Sequence, residues 1–451
     1  MASAAERLAA NVNFSSFGKA KELQQRIWFT LGALVVYRFG TYIPIPGVDA
    51  AVLAQVFETG AAGGGVLGMF DMFAGGALGR MSIFALNIMP YISASIIVQL
   101  LTAVVPKFEQ LKKDGEAGRK QLNQYTRYGT VVLAFAQAFG LAAGVSGFTG
   151  ADGQPAVANP GTIFYVSTIV TIVGGTMFLM WLGEQVTARG IGNGISLIIF
   201  AGIVANLPQA MAQLFELSRI GSISTAFLLF LLVLVVAVVV FVVFMERAQR
   251  RIVVQYPKRQ AGNRMVGGES SHLPLKLNTA GVIPPIFASS LLLLPATFQS
   301  LGGAENLPGW LQTTMAYMAP GAPIYLAVYL FLIVFFCFFY TSIVFNPEET
   351  ADNLKKYGGF VPGIRPGKNT ALYLEYVLER LTVVGAAYLA LVCLLPEILR
   401  AEVAVPFYFG GTSLLIVVSV TMDTVAQIQS HLLAHQYEGL VKRQKLRGRR
   451  R

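Results

Sequence analysis

Residues 66–100, VLGMFDMFAGGALGRMSIFALNIMPYISASIIVQL, most constrain how this chain can fold. The segment is apolar enough to enter a membrane, yet four glycines, Pro90 and the charges Asp71 and Arg80 interrupt it. Backbone that is not helical is tolerated at membrane depth only where protein covers it or a water-filled cavity receives it. We therefore predict a short helix that folds back into a cavity, followed by a full span. This pattern favours a channel or a transporter.

The composition of the whole chain is that of a membrane protein. Hydrophobic residues make up 55% and charged residues only 13% of the 451 residues, and the mean hydropathy is +0.60. A soluble domain carries about a quarter charged residues. The first 26 residues are polar and mixed and lack the apolar core of a signal peptide. We therefore expect the first apolar segment to remain in the protein.

Ten segments are apolar enough to be membrane spans, which need about 20 such residues each. They are 27–43, 81–105, 128–148, 162–182, 191–207, 225–245, 277–298, 324–345, 381–399 and 405–422. If ten spans cross the membrane in alternating directions, 30 of the 34 lysines and arginines fall on one side. The exceptions are Arg38, Arg80, Arg219 and Arg400. Because basic residues concentrate on the cytoplasmic side, both termini are predicted to lie in the cytoplasm.

The span count also predicts an all-α polytopic membrane protein built from two five-span halves. An odd number of spans in each half gives the halves opposite topology, as in inverted repeats. We divide the chain into a cytoplasmic N-terminal segment (1–26), a first half (27–207), a second half (208–427) and a basic cytoplasmic tail (428–451).

Two cytoplasmic loops of the second half, 246–276 and 346–374, are long, basic and polar. Such loops in a compact protein are usually functional or disordered. Their charge suits docking of a partner with an acidic or phosphate-rich surface. It suits equally a role in fixing topology and touching anionic lipids. The sequence leaves both interpretations open.

No constellation for catalysis, metal binding or cofactor binding is recognisable. His431 and His435 have a metal-ligand spacing but no third ligand nearby, and neither 190–194 nor 363–369 has the spacing of a phosphate-binding loop. No span carries the midplane acidic residues of coupled carriers, and Arg38 is expected to snorkel. A small-solute transporter and a membrane-embedded enzyme remain competing hypotheses, both weakened.

Isoleucine pairs at helical spacing provide a different kind of candidate site. Ile88 and Ile92 share one helical face, as do Ile195 and Ile199, and helix breakers or small polar residues lie beside both pairs. A ring of such side chains can form a dewetted constriction that blocks ions. Isoleucines at this spacing are also common in any apolar helix, so the pattern alone does not select them.

Longer runs carry a specific resemblance. They are YIPIPGVDA (42–50), NIMPYISASIIVQLL (87–101), QYTRYGT (124–130), TMFLMWLGEQ (176–185), RGIGNGISLIIFAGI (189–203), ERAQRRIVVQY (246–256), HLPLKLNTAGVIPPIFASS (272–290), FNPEETADNLKK (345–356), FVPGIRPG (360–367) and VPFYFGGTSLLIVV (405–418). The chain resembles the SecY family, the channel-forming subunits of the bacterial Sec protein translocase. The resemblance runs from about residue 26 to the C-terminal tail and keeps order and spacing.

The resemblance implies ten helices around a central hourglass pore, closed by a re-entrant plug helix over 66–79. The plug residues would be Val66, Met69, Phe70, Met72 and Phe73. The pore ring would be Ile88, Ile92, Ile195, Ile199, Ile286 and Ile416. The lateral gate would lie between spans 2 and 3 and spans 7 and 8, with Ser93 and Asn278 as polar gate positions. The Pro284–Pro285 pair departs from the family's usual Pro-Ala.

The family's activity implies passage of unfolded preproteins across the bacterial cytoplasmic (inner) membrane and lateral release of apolar helices, driven by a bound motor ATPase or ribosome. The docking residues would be Arg251, Lys258, Arg259, Lys355, Lys356 and Arg365. The implied partners are the small subunits SecE and SecG, the SecA motor, the ribosome, signal sequences and nascent membrane proteins, anionic lipids, YidC and SecD/SecF. No cofactor is implied.

Overall fold

The computed structural model describes residues 21–58, 71, 73–149, 154–221, 224–256, 259–261, 264–266, 270–302, 322–403 and 411–448. These residues form two compact units. Unit 1 takes in the described residues of Met1–Met211, Pro295–Gln312 and Ile416–Arg451, and unit 2 those of Ala212–Leu294 and Thr313–Leu415.

The described chain is mostly helical. The helices are α1 (Lys21–Gly40), α2 (Ala50–Glu58), α3 (Met89–Val104), α4 (Pro106–Lys113), α5 (Glu116–Ser146), α6 (Thr162–Arg189), α7 (Gly194–Arg219), α8 (Thr225–Arg247), α9 (Ile283–Gly302), α10 (Pro323–Val344), α11 (Pro347–Lys356), α12 (Lys368–Val403) and α13 (Gly411–Gly448). The strands are β1 (Gln249–Gln255), β2 (Arg259–Ala261), β3 (Arg264–Val266) and β4 (Ser270–Lys276).

Each of the ten predicted spans contains a helix. Among the described residues, seven helices are long and apolar enough to cross a membrane, or eight if the α3–α4 pair, bent by 98°, is one span. Helices α1 and α9 occupy the remaining predicted spans, 27–43 and 277–298. The predicted all-α membrane class is therefore confirmed.

The start of the second predicted span is wrong. Residues 81–88 are not helical, and α3 begins only at Met89. The Ile45 amide donates to the Met81 carbonyl (2.9 Å) and the Ile83 amide to the Ile43 carbonyl (3.0 Å). Because these bonds satisfy the backbone from outside the segment, it remains non-helical although it is almost wholly buried.

The edges of other predicted spans are also displaced. Helix α5 begins twelve residues before the predicted 128, since eight of the twelve residues 116–127 are Glu, Ala, Arg, Lys, Gln or Leu, which are good helix formers. Residues 405–410 of the last predicted span lie outside the described residues, and α13 begins at Gly411. In the ninth predicted span Glu397 is buried, close to its end rather than its centre.

Aromatic stacking and one ion pair hold the helices of unit 1 together. The Phe84 ring stacks on Tyr37 of α1 and on Phe178 of α6, with ring centroids 6.2 and 6.0 Å apart. The guanidinium of Arg127 in α5 donates two hydrogen bonds, of 3.2 and 2.7 Å, to the Glu184 carboxylate in α6. Such bidentate pairs fix geometry more firmly than single charged contacts.

Candidate functional site

Five of the six predicted ring isoleucines belong to unit 1. Ile88 immediately precedes α3 and its carbonyl accepts the Ile92 amide (3.1 Å), so these two side chains lie one helical turn apart. Ile195 and Ile199 occupy the first turns of α7, and Ile416 lies in α13. Ile286 belongs to unit 2, in the first turn of α9.

These isoleucines are enclosed to different degrees. The Ile88 and Ile416 side chains are 1% and 2% exposed, and Ile92 and Ile199 are also buried. Ile195 and Ile286 are half-buried. Ile88 is the last residue of the non-helical stretch 81–88 and caps the N-terminus of α3.

Four of the five predicted plug residues, Val66, Met69, Phe70 and Met72, lie outside the described residues. The last of the five, Phe73, is buried. The Asn87 amide donates to the Phe73 carbonyl (2.7 Å), and the Tyr37 hydroxyl donates to the Ala74 carbonyl (3.4 Å). The C-terminal end of the predicted plug is thus fastened both to α1 and to the residue that precedes Ile88.

Two glycines permit this close packing. Gly75 has φ +68°, a conformation that side chains other than glycine rarely adopt. A Cβ at Gly75 would also lie 2.9 Å from the Gly202 Cα of α7. The chain therefore leaves the predicted plug across the surface of α7, with no space for a side chain at either position.

The two predicted gate residues are both buried. Ser93 lies in α3 of unit 1, and Asn278 lies between β4 and α9 of unit 2. The Asn278 amide donates to Glu246 Oε1 at the end of α8 (2.7 Å) and to the Gly281 carbonyl (3.0 Å). The Tyr388 hydroxyl of α12 also lies 3.5 Å from Glu246 Oε1. Asn278 is thereby tied to α8 through one carboxylate.

Glu246 is not among the site residues predicted from the sequence. A signal was present, because Glu246 is the first carboxylate after the charge-free apolar run of α8 and opens the run ERAQRRIVVQY. A carboxylate at a span end is ordinarily explained as an exposed group. Only the tertiary structure brings Asn278 to it.

The two long basic loops meet in unit 2 and form a surface that we call the platform, residues 247–256, 270–277 and 355–381. Strand β1 pairs with β4 in antiparallel register, with Ile252 opposite Leu273. Gln255 and Phe360 exchange two backbone hydrogen bonds, of 2.9 and 3.0 Å, which join the loops. Beneath them lies a core of Ile252, Leu275, Val361, Leu374, Val377 and Leu381.

Alternation along β1 explains the two faces of the platform. Ile252 and Val254 point into the core, whereas Arg251 and Val253 are exposed, because successive side chains of a strand face opposite ways. Lys355, Lys356 and Arg365 are also exposed. Lys258 lies outside the described residues, and Arg259 lies in β2 without a described side chain. The described residues of the two long loops are therefore folded.

Comparisons with known proteins agree with this architecture. The SecY family model matches residues 82–425. The chain is 57% identical to protein translocase subunit SecY of Escherichia coli strain K12 over 96% of this chain and 97% of the relative. It is 56% identical to protein translocase subunit SecY of Vibrio cholerae over 95% and 96% of the two chains.

Solved structures share the fold at low sequence identity. One described as "The structure of a protein conducting channel" has a TM-score of 0.63 at 19% identity and covers 91% of this chain and 92% of its own. Sec61 in the canine ribosome–channel complex has a TM-score of 0.61 at 19% identity, with the same coverage. Since relatives of more than half identity span nearly the whole chain, it belongs to the SecY family of protein translocase subunits and is a channel subunit rather than an enzyme.

Proposed function

We propose that unfolded polypeptide crosses the bacterial cytoplasmic membrane through a ring formed by the six isoleucines at positions 88, 92, 195, 199, 286 and 416. Residues 66–79 act as a plug that closes the resting channel from outside. The two five-span halves are inverted repeats, and both termini lie in the cytoplasm. The charge asymmetry of the loops supports this orientation.

The non-helical segment 75–88, most of whose residues are buried, carries this proposal. It runs from the C-terminal end of the proposed plug to Ile88, and its residues are buried except for Gly76, Arg80 and Ile83, which are half-buried. Irregular backbone in a membrane-spanning unit is rare and marks pathways where something other than lipid is received. An apolar ring beside it excludes hydrated ions while it yields to a larger flexible chain.

Apolar segments of the substrate leave sideways through a gate that includes Ser93 and Asn278. The direction follows from transfer free energies. An apolar side chain gains a few tenths of a kcal/mol at the centre of a bilayer, while a charged one costs about 2.5–3.5 kcal/mol. A nascent apolar helix therefore partitions into lipid, and a polar chain continues through the ring.

The platform docks the component that supplies energy, a SecA-type motor or the ribosome. Exposed Arg251, Lys355, Lys356 and Arg365 support an anionic partner, and ribosomal RNA is a polyanion. A structural neighbour in the yeast Ssh1 complex is described as bound to the 80S ribosome. SecE and SecG are the proposed small membrane partners. Signal sequences, nascent membrane proteins, YidC, SecD/SecF and anionic lipids complete the proposed contacts.

Site-specific photo-crosslinking of a substrate stalled halfway tests the pathway. A crosslinker is placed at Ile92 or Ile199, and a matched one at Val132 or Val170, which are 68% and 66% exposed on α5 and α6. We expect substrate adducts at the two isoleucines and lipid adducts at the two valines. Substrate adducts at all four positions, or at none, would contradict the pore assignment.

A second measurement tests the seal. With Ile88, Ile92, Ile195 and Ile199 all replaced by serine, the resting channel should conduct ions, because polar side chains let water fill the constriction. Replacement of the two lipid-facing valines by serine is the control and should leave the seal intact. A tight seal in the fourfold serine variant would remove the ring from the proposal.

A further inference from the structure

Two of the four arginines that break the charge asymmetry converge on one backbone carbonyl. Arg38 of α1 donates through Nη1 to the Gly75 carbonyl oxygen (2.9 Å), and Arg80 donates through Nη2 to the same oxygen (3.0 Å). Arg38 and Gly75 are 37 positions apart in the chain. Arg38 is expected from the sequence to snorkel, and the structure adds that its partly buried guanidinium also bonds to protein.

The Tyr42 ring brings the two guanidinium groups together. The Cζ atoms of Arg38 and Arg80 lie 4.8 and 4.3 Å from its centroid, within the range of cation–π attraction. Arg38 Nη2 also donates to the Tyr42 hydroxyl (2.8 Å). Arg38 thus spans two acceptors at once, which a planar guanidinium does and a lysine ammonium cannot do in the same geometry.

Asp71 offsets the positive charge of this cluster and fixes the turn around it. Its Oδ1 accepts the Gly79 amide (2.8 Å), and its carbonyl accepts the Gly76 amide (3.0 Å). These bonds close the loop between residues 71 and 79, with Gly75 at its edge. The two charged hydrogen bonds to Gly75 are stronger than neutral ones. They act at the point where the proposed plug joins the buried segment.

We infer that Arg38 and Arg80 are positioning residues that hold the Gly75 hinge of the plug, and so set how often the resting channel opens. This inference rests on the proposed plug. The two side chains need not touch the substrate. They act through the backbone of Gly75, which with Gly76 forms a turn at φ +68° and +78°.

Ion conductance of the resting channel, in the assembled translocase in a lipid bilayer, tests this role. The variants are Arg38→Met, Arg80→Met and the double variant, with Arg219→Met as the matched control. Arg219 is exposed, pairs with Glu216 and is the last residue of α7. We expect the open probability to rise roughly tenfold in each single variant, as loss of one charged hydrogen bond predicts. Arg38→Lys should restore part of the seal.

Two further variants guard against a folding defect. Tyr42 is 55% exposed, so Tyr42→Ala is expected to fold normally while it removes the ring between the guanidinium groups. Tyr42→Phe keeps the ring and should leak less than Tyr42→Ala. Motor-driven transport of an ordinary precursor should persist in all of them, which a general structural defect would not allow.

Deletion of residues 66–79 separates this inference from the proposed plug. A channel that lacks residues 66–79 should conduct ions at rest. The arginine substitutions should not raise its conductance further, because the Gly75 carbonyl that the arginines bind is gone. If the deletion leaks but Arg38→Met and Arg80→Met seal like the parent, the hinge role is wrong and the plug remains. If the deletion itself stays sealed, both ideas are wrong.

Discussion

Two connections between spans use arginine in opposite ways. In the connection 71–88 of unit 1, Arg80 and the neighbouring Arg38 turn inward, onto the Gly75 carbonyl and the Tyr42 ring. In the platform of unit 2, Arg251 and Arg365 are exposed. A partly buried charge is screened little and can fix a backbone, whereas exposed charges contribute little to stability and are available to a partner. In the proposed roles, identical side chains therefore serve internal positioning in one unit and docking in the other.

The largest effect is expected where the platform core is broken. Ile252→Asp places a carboxylate in a position that is 4% exposed, among apolar side chains, which costs several kcal/mol. The hairpin should become sensitive to limited proteolysis and motor-driven transport should stop, while the resting seal is kept.

The adjacent exposed residue is the control for that change. Val253→Asp on the same strand should remain resistant to the protease, since its side chain is 39% exposed and faces away from the core. Equal sensitivity of the two variants would show that the platform is not a packed element.

Arg365→Glu should reduce motor-dependent transport roughly thirtyfold or more, as reversal of an interface hot spot does. The side chain is exposed, so the channel should assemble in normal amounts. The rate is measured in proteoliposomes with purified motor, against Arg219→Glu as an exposed arginine outside the platform. Normal export by Arg365→Glu would remove this residue from the docking surface.

Asn278→Ala should lower the free energy of unfolding of the complex by about 1.5–3 kcal/mol, because it removes the donor to the Glu246 carboxylate. Thr279→Ala is the control, since its hydroxyl bonds only the nearby Lys276 carbonyl. Thermal unfolding of Asn278→Ala, Glu246→Gln and the double variant forms a double-mutant cycle. Simple additivity would show that the two side chains do not act together.

The smallest effect is expected from salt. It should distinguish the exposed arginines of the platform from Arg38 and Arg80. Raising the salt from about 50 to about 500 mM shortens the screening length to a few ångströms. Motor binding to the platform should weaken roughly three- to tenfold, measured by sedimentation with vesicles. The resting leak should not change, because the Gly75 contacts are partly buried. A leak that rises in parallel would contradict the contrast between the regions.

Much of the helical framework could be predicted from local composition. The charge-free runs of α8 and α10 predict spans directly, because length and hydropathy suffice. The same reasoning failed at residues 81–88. Their composition is apolar, but hydrogen bonds from Ile45 and to Ile43 keep them non-helical. Hydropathy does not distinguish a lipid-facing helix from irregular backbone that protein covers.

By itself the sequence determined the membrane class, the alternation of basic loops, the family and the positions of the isoleucines. Each depends on composition, local period or matching runs of residues. Only the tertiary structure decided that Arg38 and Arg80 share the Gly75 carbonyl, that Asn278 bonds Glu246, and that Gln255 pairs with Phe360. These contacts join residues far apart in the chain, and their free energy depends on the burial and geometry that packing creates.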